Sequence, residues 1–245
     1  MAADGKHLTV GGEPWRARGV TYGSFTRRLD GEPFPEPHQV KRDMADIAAA
    51  GFNTVRTYCL PPADVLDVAA DLGLRLLVGL HYRDWRYEHD AGRGATRRVL
   101  DAGRRAVDAA LERLDGRRNI LAVSVGNEVP ADVVRAHGIA RVEQALTRLM
   151  ERLHAGHPDL LVTYSSYPTT EFLDLPTADL ACFNVFLERG DDLRRYLRHL
   201  QVAVGERPLL VTELGLASEV HGEDAQAASI DRQLREVDAA GVAGA

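Results

Sequence analysis

The chain alternates short apolar runs with longer amphipathic segments over most of its length. The runs at residues 120–125 and 209–212 are almost continuously apolar, which is typical of strands buried on both faces of a parallel sheet. Between such runs, apolar positions recur at helical spacing, as they do across residues 96–114. This order of strands and helices predicts an α/β fold built on a parallel sheet.

Seven strand–helix units are predicted. The strands are expected at residues 18–22, 54–57, 75–80, 120–125, 160–165, 180–186 and 209–212. The helices are expected at about residues 39–50, directly after Pro62, and at about 96–114, 141–154, 191–204 and 225–240. A doubly wound sheet usually has fewer units and a glycine-rich phosphate turn, so the pattern favours a TIM (β/α)8 barrel.

The two ends of the chain modify this barrel. Residues 241–245 resemble the lead-in to an eighth strand, most of which is therefore expected to be absent. An open barrel leaves the edges of strands one and seven unpaired, which predicts self-association through the open edge.

Near the N-terminus, the apolar positions on both sides of Gly11-Gly12 predict a capping hairpin over residues 8–17. Residues 1–245 are predicted to form a single domain.

Composition limits the functional classes. A length of 245 residues suits one barrel-sized domain, and a net charge of −6 argues against nucleic acid as a partner. No apolar run reaches membrane-spanning length and the N-terminus lacks the apolar core of a signal peptide, so no membrane segment and a cytoplasmic location are expected. The 9 histidines and 2 cysteines lack metal-ligand spacing, and neither a metal nor any other cofactor is expected.

Glutamates follow two of the predicted strands. Glu128 lies in Gly126-Asn127-Glu128 after strand four, and Glu213 lies in Thr212-Glu213-Leu214-Gly215 at the end of strand seven. The C-terminal ends of barrel strands are where such folds hold their chemistry. Two carboxylates there, on different strands, indicate acid/base and nucleophilic work on a glycosidic bond.

These two motifs occur together with Gly19-Val20-Thr21-Tyr22 and with the segment Gly51-Phe52-Asn53-Thr54-Val55-Arg56. In that order they resemble the catalytic barrel of the clan A glycoside hydrolases. Within that clan the chain is most similar to family 2, the β-galactosidase and β-glucuronidase group. The resemblance covers the chain from about residue 8 to its end.

The resemblance implies a β-linked saccharide substrate and roles for four residues. Glu128 would be the general acid/base, and Glu213 would be the nucleophile of a retaining mechanism. Arg56 would supply a cation close to the nucleophile. Asn127 would bond the sugar 2-hydroxyl, a contact that strengthens in the transition state.

Further candidates for substrate binding follow the other strands. They are His81 and Trp85 after strand three, Tyr22 after strand one, Tyr164 around strand five and Asn184 in strand six. Trp85 either stacks on a pyranose face or covers the barrel rim.

One position departs from the family pattern. A tyrosine near the end of strand six usually bonds the nucleophile, but the matching residue here is Phe186, which cannot donate a hydrogen bond. Either another donor, such as Tyr164 or His81, then takes this task, or the nucleophile is less well tuned.

Two functions are compatible with these observations. The first is a retaining β-glycoside hydrolase, or a transglycosylase if a second sugar resolves the covalent intermediate. The alternative is a non-catalytic carbohydrate-binding or scaffold module, including a fragment of a polysaccharide-synthesising protein. The missing eighth strand and Phe186 favour the alternative, whereas the pair of glutamates opposes it.

Overall fold

A computed structural model of the chain describes residues 1–88 and 92–245. A small antiparallel sheet comes first, formed by β1 (Ala2–Asp4), β2 (His7–Val10) and β3 (Glu13–Trp15). Seven parallel strands follow and pair in chain order, each with the next. They are β4 (Gly19–Thr21), β5 (Thr54–Thr57), β6 (Arg75–Gly79), β7 (Ile120–Asn127), β8 (Val162–Ser166), β9 (Ala181–Asn184) and β10 (Leu209–Glu213).

Helices connect most of these strands. They are α1 (Pro37–Ala49), α2 (Ala63–Asp71), α3 (Arg93–Leu114), α4 (Ala131–His137), α5 (Ile139–Gly156), α6 (Gly190–Ala203), α7 (Ser218–His221) and α8 (Glu223–Ala240). Between β8 and β9 the connection contains only a short 3-10 turn, Pro168–Thr170. Within residues 1–88 and 92–245, no helix is long and apolar enough to span a bilayer.

The burial of the strands explains their apolar sequences. Every residue of β5, β8 and β9 is buried, because one face of the sheet points into the barrel and the other is covered by helices. Leu77, Leu121 and Leu210 belong to one cluster inside the barrel, and a larger cluster joins the sheet to α1, α2, α3 and α5. The predicted α/β barrel is thus confirmed.

The differences from the predicted elements lie at their ends. The strand boundaries move by at most two residues, and β7 extends two residues further, to Asn127. The short helices α4 and α7 and the strand β1 were not predicted, because elements of three to seven residues are too short to establish a period. The capping hairpin is present as β2 and β3, but it ends at Trp15.

The end of the chain closes one part of the barrel. Ala243–Ala245 lie between β4 and β10, where the Ala17 amide donates to the Ala243 carbonyl at 3.0 Å and the Gly19 amide to the Ala245 carbonyl at 2.7 Å. On the other side, the Val211 amide donates to the Gly244 carbonyl at 3.0 Å. Most of strand eight is missing from the residues described, as predicted, but the two edges are joined at the N-terminal end of the barrel.

Beyond these three residues the wall of the barrel has a gap. A cavity of about 420 Å³ lies there, between β4 and β10, and Val20, Leu210 and Leu234 are among its apolar lining residues. It continues to Arg56 and Glu213 at the C-terminal ends of the strands. The site described below therefore borders the gap, and self-association through it stays a prediction.

Gly244→Ala is expected to destabilise the fold through this closure. Gly244 has a φ of 137°, and an added Cβ would lie 2.1 Å from the Ala17 carbonyl oxygen. The control is Gly241→Ala, which has a φ of 67° and open space around the added atom, and which should cost about 1 kcal/mol. We expect Gly244→Ala to lower the free energy of unfolding by about 1–3 kcal/mol more than the control. Equal losses in urea denaturation would contradict the closing role of Ala243–Ala245.

Candidate active site

A buried arginine forms the centre of the site. Arg56 is the penultimate residue of β5, and its side chain is 7% accessible. Its Nη1 donates to Glu213 Oε1 at 2.5 Å and to the Thr212 carbonyl at 3.0 Å, and its Nη2 donates to Asn127 Oδ1 at 2.6 Å. One guanidinium therefore joins the C-terminal ends of β5, β7 and β10.

An asparagine joins the two glutamates. Asn184 Nδ2 lies 2.7 Å from Glu128 Oε1 and 2.8 Å from Glu213 Oε1. The Thr212 hydroxyl donates to Asn184 Oδ1 at 2.7 Å, which fixes the orientation of the amide. Since both carboxylate oxygens contact one nitrogen atom, they are at most about 5.5 Å apart, which does not exceed the separation of about 5–5.5 Å known for the paired carboxylates of retaining glycosidases.

Glu128 is held in an unusual backbone conformation. Its φ is 47°, and it is the one non-glycine residue with positive φ in the described part of the chain. Its amide donates to the Ser165 carbonyl at 2.9 Å, and the following Val129 amide donates to the Tyr164 hydroxyl at 2.8 Å. An added Cβ on Gly126 would lie 3.2 Å from the Tyr164 ring, so glycine allows the strand end to approach this ring closely. These contacts offset the cost of the left-handed conformation.

The environment of Glu128 suits an acid. Burial raises the pKa of Glu128 above its usual value; the hydrogen bond from Asn184 opposes this shift, and the nearby charge of Glu213 adds to it. A raised pKa keeps a carboxyl protonated closer to neutral pH, as a general acid requires.

The two oxygens of Glu213 differ in their contacts. Oε1 accepts from Arg56, from Asn184 and from the Tyr58 hydroxyl at 3.1 Å. Oε2 accepts no hydrogen bond from residues 1–88 or 92–245 and so is available to a ligand. Tyr58 was missed in the sequence, although it stands two positions after Arg56, at the end of a barrel strand. Another donor is thus present, as expected, but it is Tyr58 and neither of the two examples, Tyr164 and His81.

The structure brings five predicted residues together, namely Arg56, Asn127, Glu128, Asn184 and Glu213.

Two other predicted residues are in the protein interior. Trp85 is 3% exposed and packs edge-on against His137 with a ring-centroid distance of 5.2 Å, so its ring is not available to stack on a sugar. The Tyr22 hydroxyl donates to Asp43 at 2.7 Å and fastens β4 to α1. Trp85 is thus a core residue, and the Tyr22 hydroxyl already has a protein partner, so neither takes the substrate-binding role expected of it.

The remaining candidates surround the cluster. Tyr164 lies beneath Glu128, where it bonds the backbone instead of lining the mouth. His81 is exposed and lines a smaller cavity of about 170 Å³, which Tyr22 and Tyr58 also line. Phe186 is 57% exposed and lines the larger cavity together with Glu213. Among the residues described, no group of three histidine, cysteine, aspartate or glutamate side chains has the arrangement of a metal site.

Comparison with known proteins identifies relatives through structure alone. No protein-family model matches the chain, and no curated protein matches it by sequence. The β-glucuronidase of Ruminococcus gnavus superposes with a TM-score of 0.80 at 14% identity, over 99% of this chain and 45% of that one. The β-D-glucuronidase of Dictyoglomus thermophilum gives 0.80 at 16% identity, over 99% and 45% of the two chains. The Bifidobacterium dentium β-glucuronidase, complexed with coumarin-3-O-glucuronide, gives 0.78 at 18% identity, over 99% and 42%.

These likenesses concern the fold. The chain spans less than half the length of these three solved structures, and all three identities are below 20%. The fold expected from the family resemblance, a barrel like that of the β-glucuronidases, is confirmed.

Tyr164→Phe is expected to destabilise the protein. The variant leaves the buried Val129 amide without its acceptor, which costs about 1–3 kcal/mol. For a chain of this size that corresponds to a fall of about 2–4 °C in Tm per kcal/mol. Tyr167→Phe is the matched control, because the Tyr167 hydroxyl forms no hydrogen bond within the described ranges. Equal Tm values for the two variants would disprove the role of the Tyr164 hydroxyl.

Glu128→Gln is expected to stabilise the protein increasingly as pH rises. The pKa of Glu128 is raised in the folded state, so the unfolded chain loses this proton at a lower pH than the folded protein does. The wild type therefore loses stability as pH rises from the pKa of Glu128 in the unfolded chain through its pKa in the folded protein. Glutamine has no such loss. The Tm difference between variant and wild type should therefore grow between pH 4 and 7.5, and it should grow by more than the difference for the exposed control Glu206→Gln. A difference independent of pH would contradict the raised pKa.

Proposed function

We propose that this barrel is the catalytic domain of a retaining β-glycosidase. The observation that carries the proposal is the pair of glutamates bonded to the single Asn184 nitrogen. Their oxygens lie at most about 5.5 Å apart, which suits direct attack by one carboxylate, whereas inverting enzymes separate theirs by about 6.5–9.5 Å to admit water.

The surroundings of the two carboxylates support distinct roles. Arg56 contacts Glu213 and forms no hydrogen bond with Glu128, so the negative charge is stabilised on Glu213. Burial disfavours a second charge, which raises the pKa of Glu128. These surroundings assign the role of nucleophile to Glu213 and that of acid to Glu128.

The reaction would proceed in two displacements. Glu213 Oε2 forms a bond to the anomeric carbon as the glycosidic C–O bond breaks, and the Glu128 proton moves to the leaving oxygen. Glu128, now ionised, then removes a proton from water, whose oxygen attacks the anomeric carbon and releases Glu213. A sugar hydroxyl in place of water gives transglycosylation.

Asn127 is placed to bind the substrate. Its Oδ1 accepts from Arg56 at 2.6 Å and from Asn184 at 3.1 Å, which directs its Nδ2 group away from both. Asn127 is exposed at the end of β7. Its two Nδ2 hydrogens have no acceptor within residues 1–88 and 92–245, which supports the 2-hydroxyl contact that the family resemblance implies. The solved β-glucuronidases make a uronic acid one of the β-linked sugars to test.

Intact-protein mass spectrometry with activated 2-deoxy-2-fluoro β-glycosides tests the function. The panel includes gluco, galacto, manno and glucurono configurations, because the sugar that reacts also identifies the substrate class. We expect a mass increase that peptide mapping assigns to Glu213. Circular dichroism confirms beforehand that the protein is folded.

Two variants separate catalysis from binding. Glu213→Gln should take up no label, while Glu128→Ala should hydrolyse substrates with poor leaving groups about 10²–10⁴-fold more slowly. Added azide should restore the second displacement in Glu128→Ala and give a β-glycosyl azide. A folded wild type that binds saccharides but takes up no label from any sugar would instead identify a carbohydrate-binding module.

A further inference from the structure

We propose that the hydroxyl of Tyr58 is the dedicated hydrogen-bond donor that positions Glu213 for nucleophilic attack. The proposal rests on the glycosidase function proposed above. It assigns to the end of β5 a role that the family pattern assigns to a tyrosine after strand six, where this chain has Phe186.

Tyr58 is fixed beside the nucleophile from two directions. It directly follows β5, and its hydroxyl lies 3.1 Å from Glu213 Oε1. The Arg56 guanidinium lies over its ring, 4.8 Å from the centroid. Since Arg56 also bonds Glu213, the ring, the cation and the carboxylate hold one another in a fixed arrangement.

The other two donors to Glu213 Oε1 are shared with further acceptors. Arg56 Nη1 also donates to the Thr212 carbonyl. Asn184 Nδ2 has two hydrogens but lies within 3.1 Å of three acceptors, on Asn127, Glu128 and Glu213. Within the described ranges, Tyr58 donates to Glu213 alone. Its hydrogen bond therefore persists whichever acceptors Asn184 serves.

This difference matters as charge moves during the reaction. When Glu128 transfers its proton it becomes a carboxylate, which is the stronger acceptor for Asn184. Glu213 becomes a neutral ester at the same time. Tyr58 then keeps Oε1 in place, so that Oε2 and the attached sugar remain aligned for the second displacement.

Tyr58 also remains a donor at working pH. Burial and the adjacent Glu213 carboxylate raise the pKa of Tyr58 to about 12, so the hydroxyl is protonated through the neutral range. Phe186 lines the same cavity as Tyr58 and Glu213 and brings no hydroxyl to compete for Oε1.

The test compares Tyr58→Phe with Tyr196→Phe. The control also removes a tyrosine hydroxyl from a carboxylate, since Tyr196 donates to Glu171 at 2.9 Å on the exposed surface. We expect Tyr58→Phe to take up the reactive 2-deoxy-2-fluoro β-glycoside about 10–100-fold more slowly, the range for a hydrogen bond to a charged group. The loss should appear in the rate constant for labelling at saturating glycoside, with the half-saturating concentration unchanged, because the hydroxyl positions the nucleophile. Tyr196→Phe should match the wild type in both.

A double-mutant cycle provides a readout that needs no substrate. If the Tyr58 hydroxyl bonds Glu213, the Tm shifts of Tyr58→Phe and Glu213→Gln are non-additive, while those of Tyr196→Phe and Glu213→Gln add. Additive shifts for the first pair, or equal labelling of Tyr58→Phe and wild type, would overturn the role of Tyr58 alone. A folded wild type that takes up no label would overturn the glycosidase function, and the catalytic part of this inference with it.

Discussion

The buried cation of Arg56 is the constraint from which the rest of the site follows. A guanidinium keeps its charge, and the Arg56 side chain is only 7% accessible. Burying such a charge costs a large free energy unless hydrogen-bond acceptors surround it. These come from β10, through Thr212 and Glu213, and from β7, through Asn127. The charge on Glu213 is thus required by the fold as well as by the proposed chemistry, because its loss would leave the cation uncompensated.

Such a cluster contributes little to net stability, so other parts of the barrel must provide it. Desolvation of a buried ion pair largely cancels its attraction, and Glu128 adds the cost of a left-handed backbone. Stability comes instead from the apolar layers below the cluster, where Leu77, Leu121 and Leu210 fill the barrel. Ala243–Ala245 close the wall at the same level. The reactive groups lie at one end of the barrel, the apolar core at the other.

The sequence reveals those features that topology alone determines. In a parallel barrel the C-terminal ends of all strands meet at one face, so Glu128, Asn184 and Glu213 could be brought together from strand positions alone. Side-chain direction is a different matter, because it depends on packing across the barrel. Trp85 follows a strand yet points into the core, whereas Tyr58 reaches Glu213 from a strand distant in sequence. No periodicity in the chain distinguishes these two cases.

The arrangement of donors suits the charge movement that the proposed reaction requires. In that proposed reaction the cluster holds one negative charge on Glu213, beside Arg56, before the first displacement and one on Glu128 after it. Among the described residues, Asn184 is the donor within hydrogen-bond distance of both glutamates, and Thr212 fixes its amide. The two Nδ2 hydrogens of Asn184 can shift slightly towards whichever glutamate carries the charge, and this shift needs no movement of the backbone. Because the dipole is oriented in advance, little reorganisation opposes the transfer. In the proposed reaction Arg56 and Tyr58 keep their hydrogen bonds to Glu213 throughout, so the proposed nucleophile holds its position while Glu128 changes its charge.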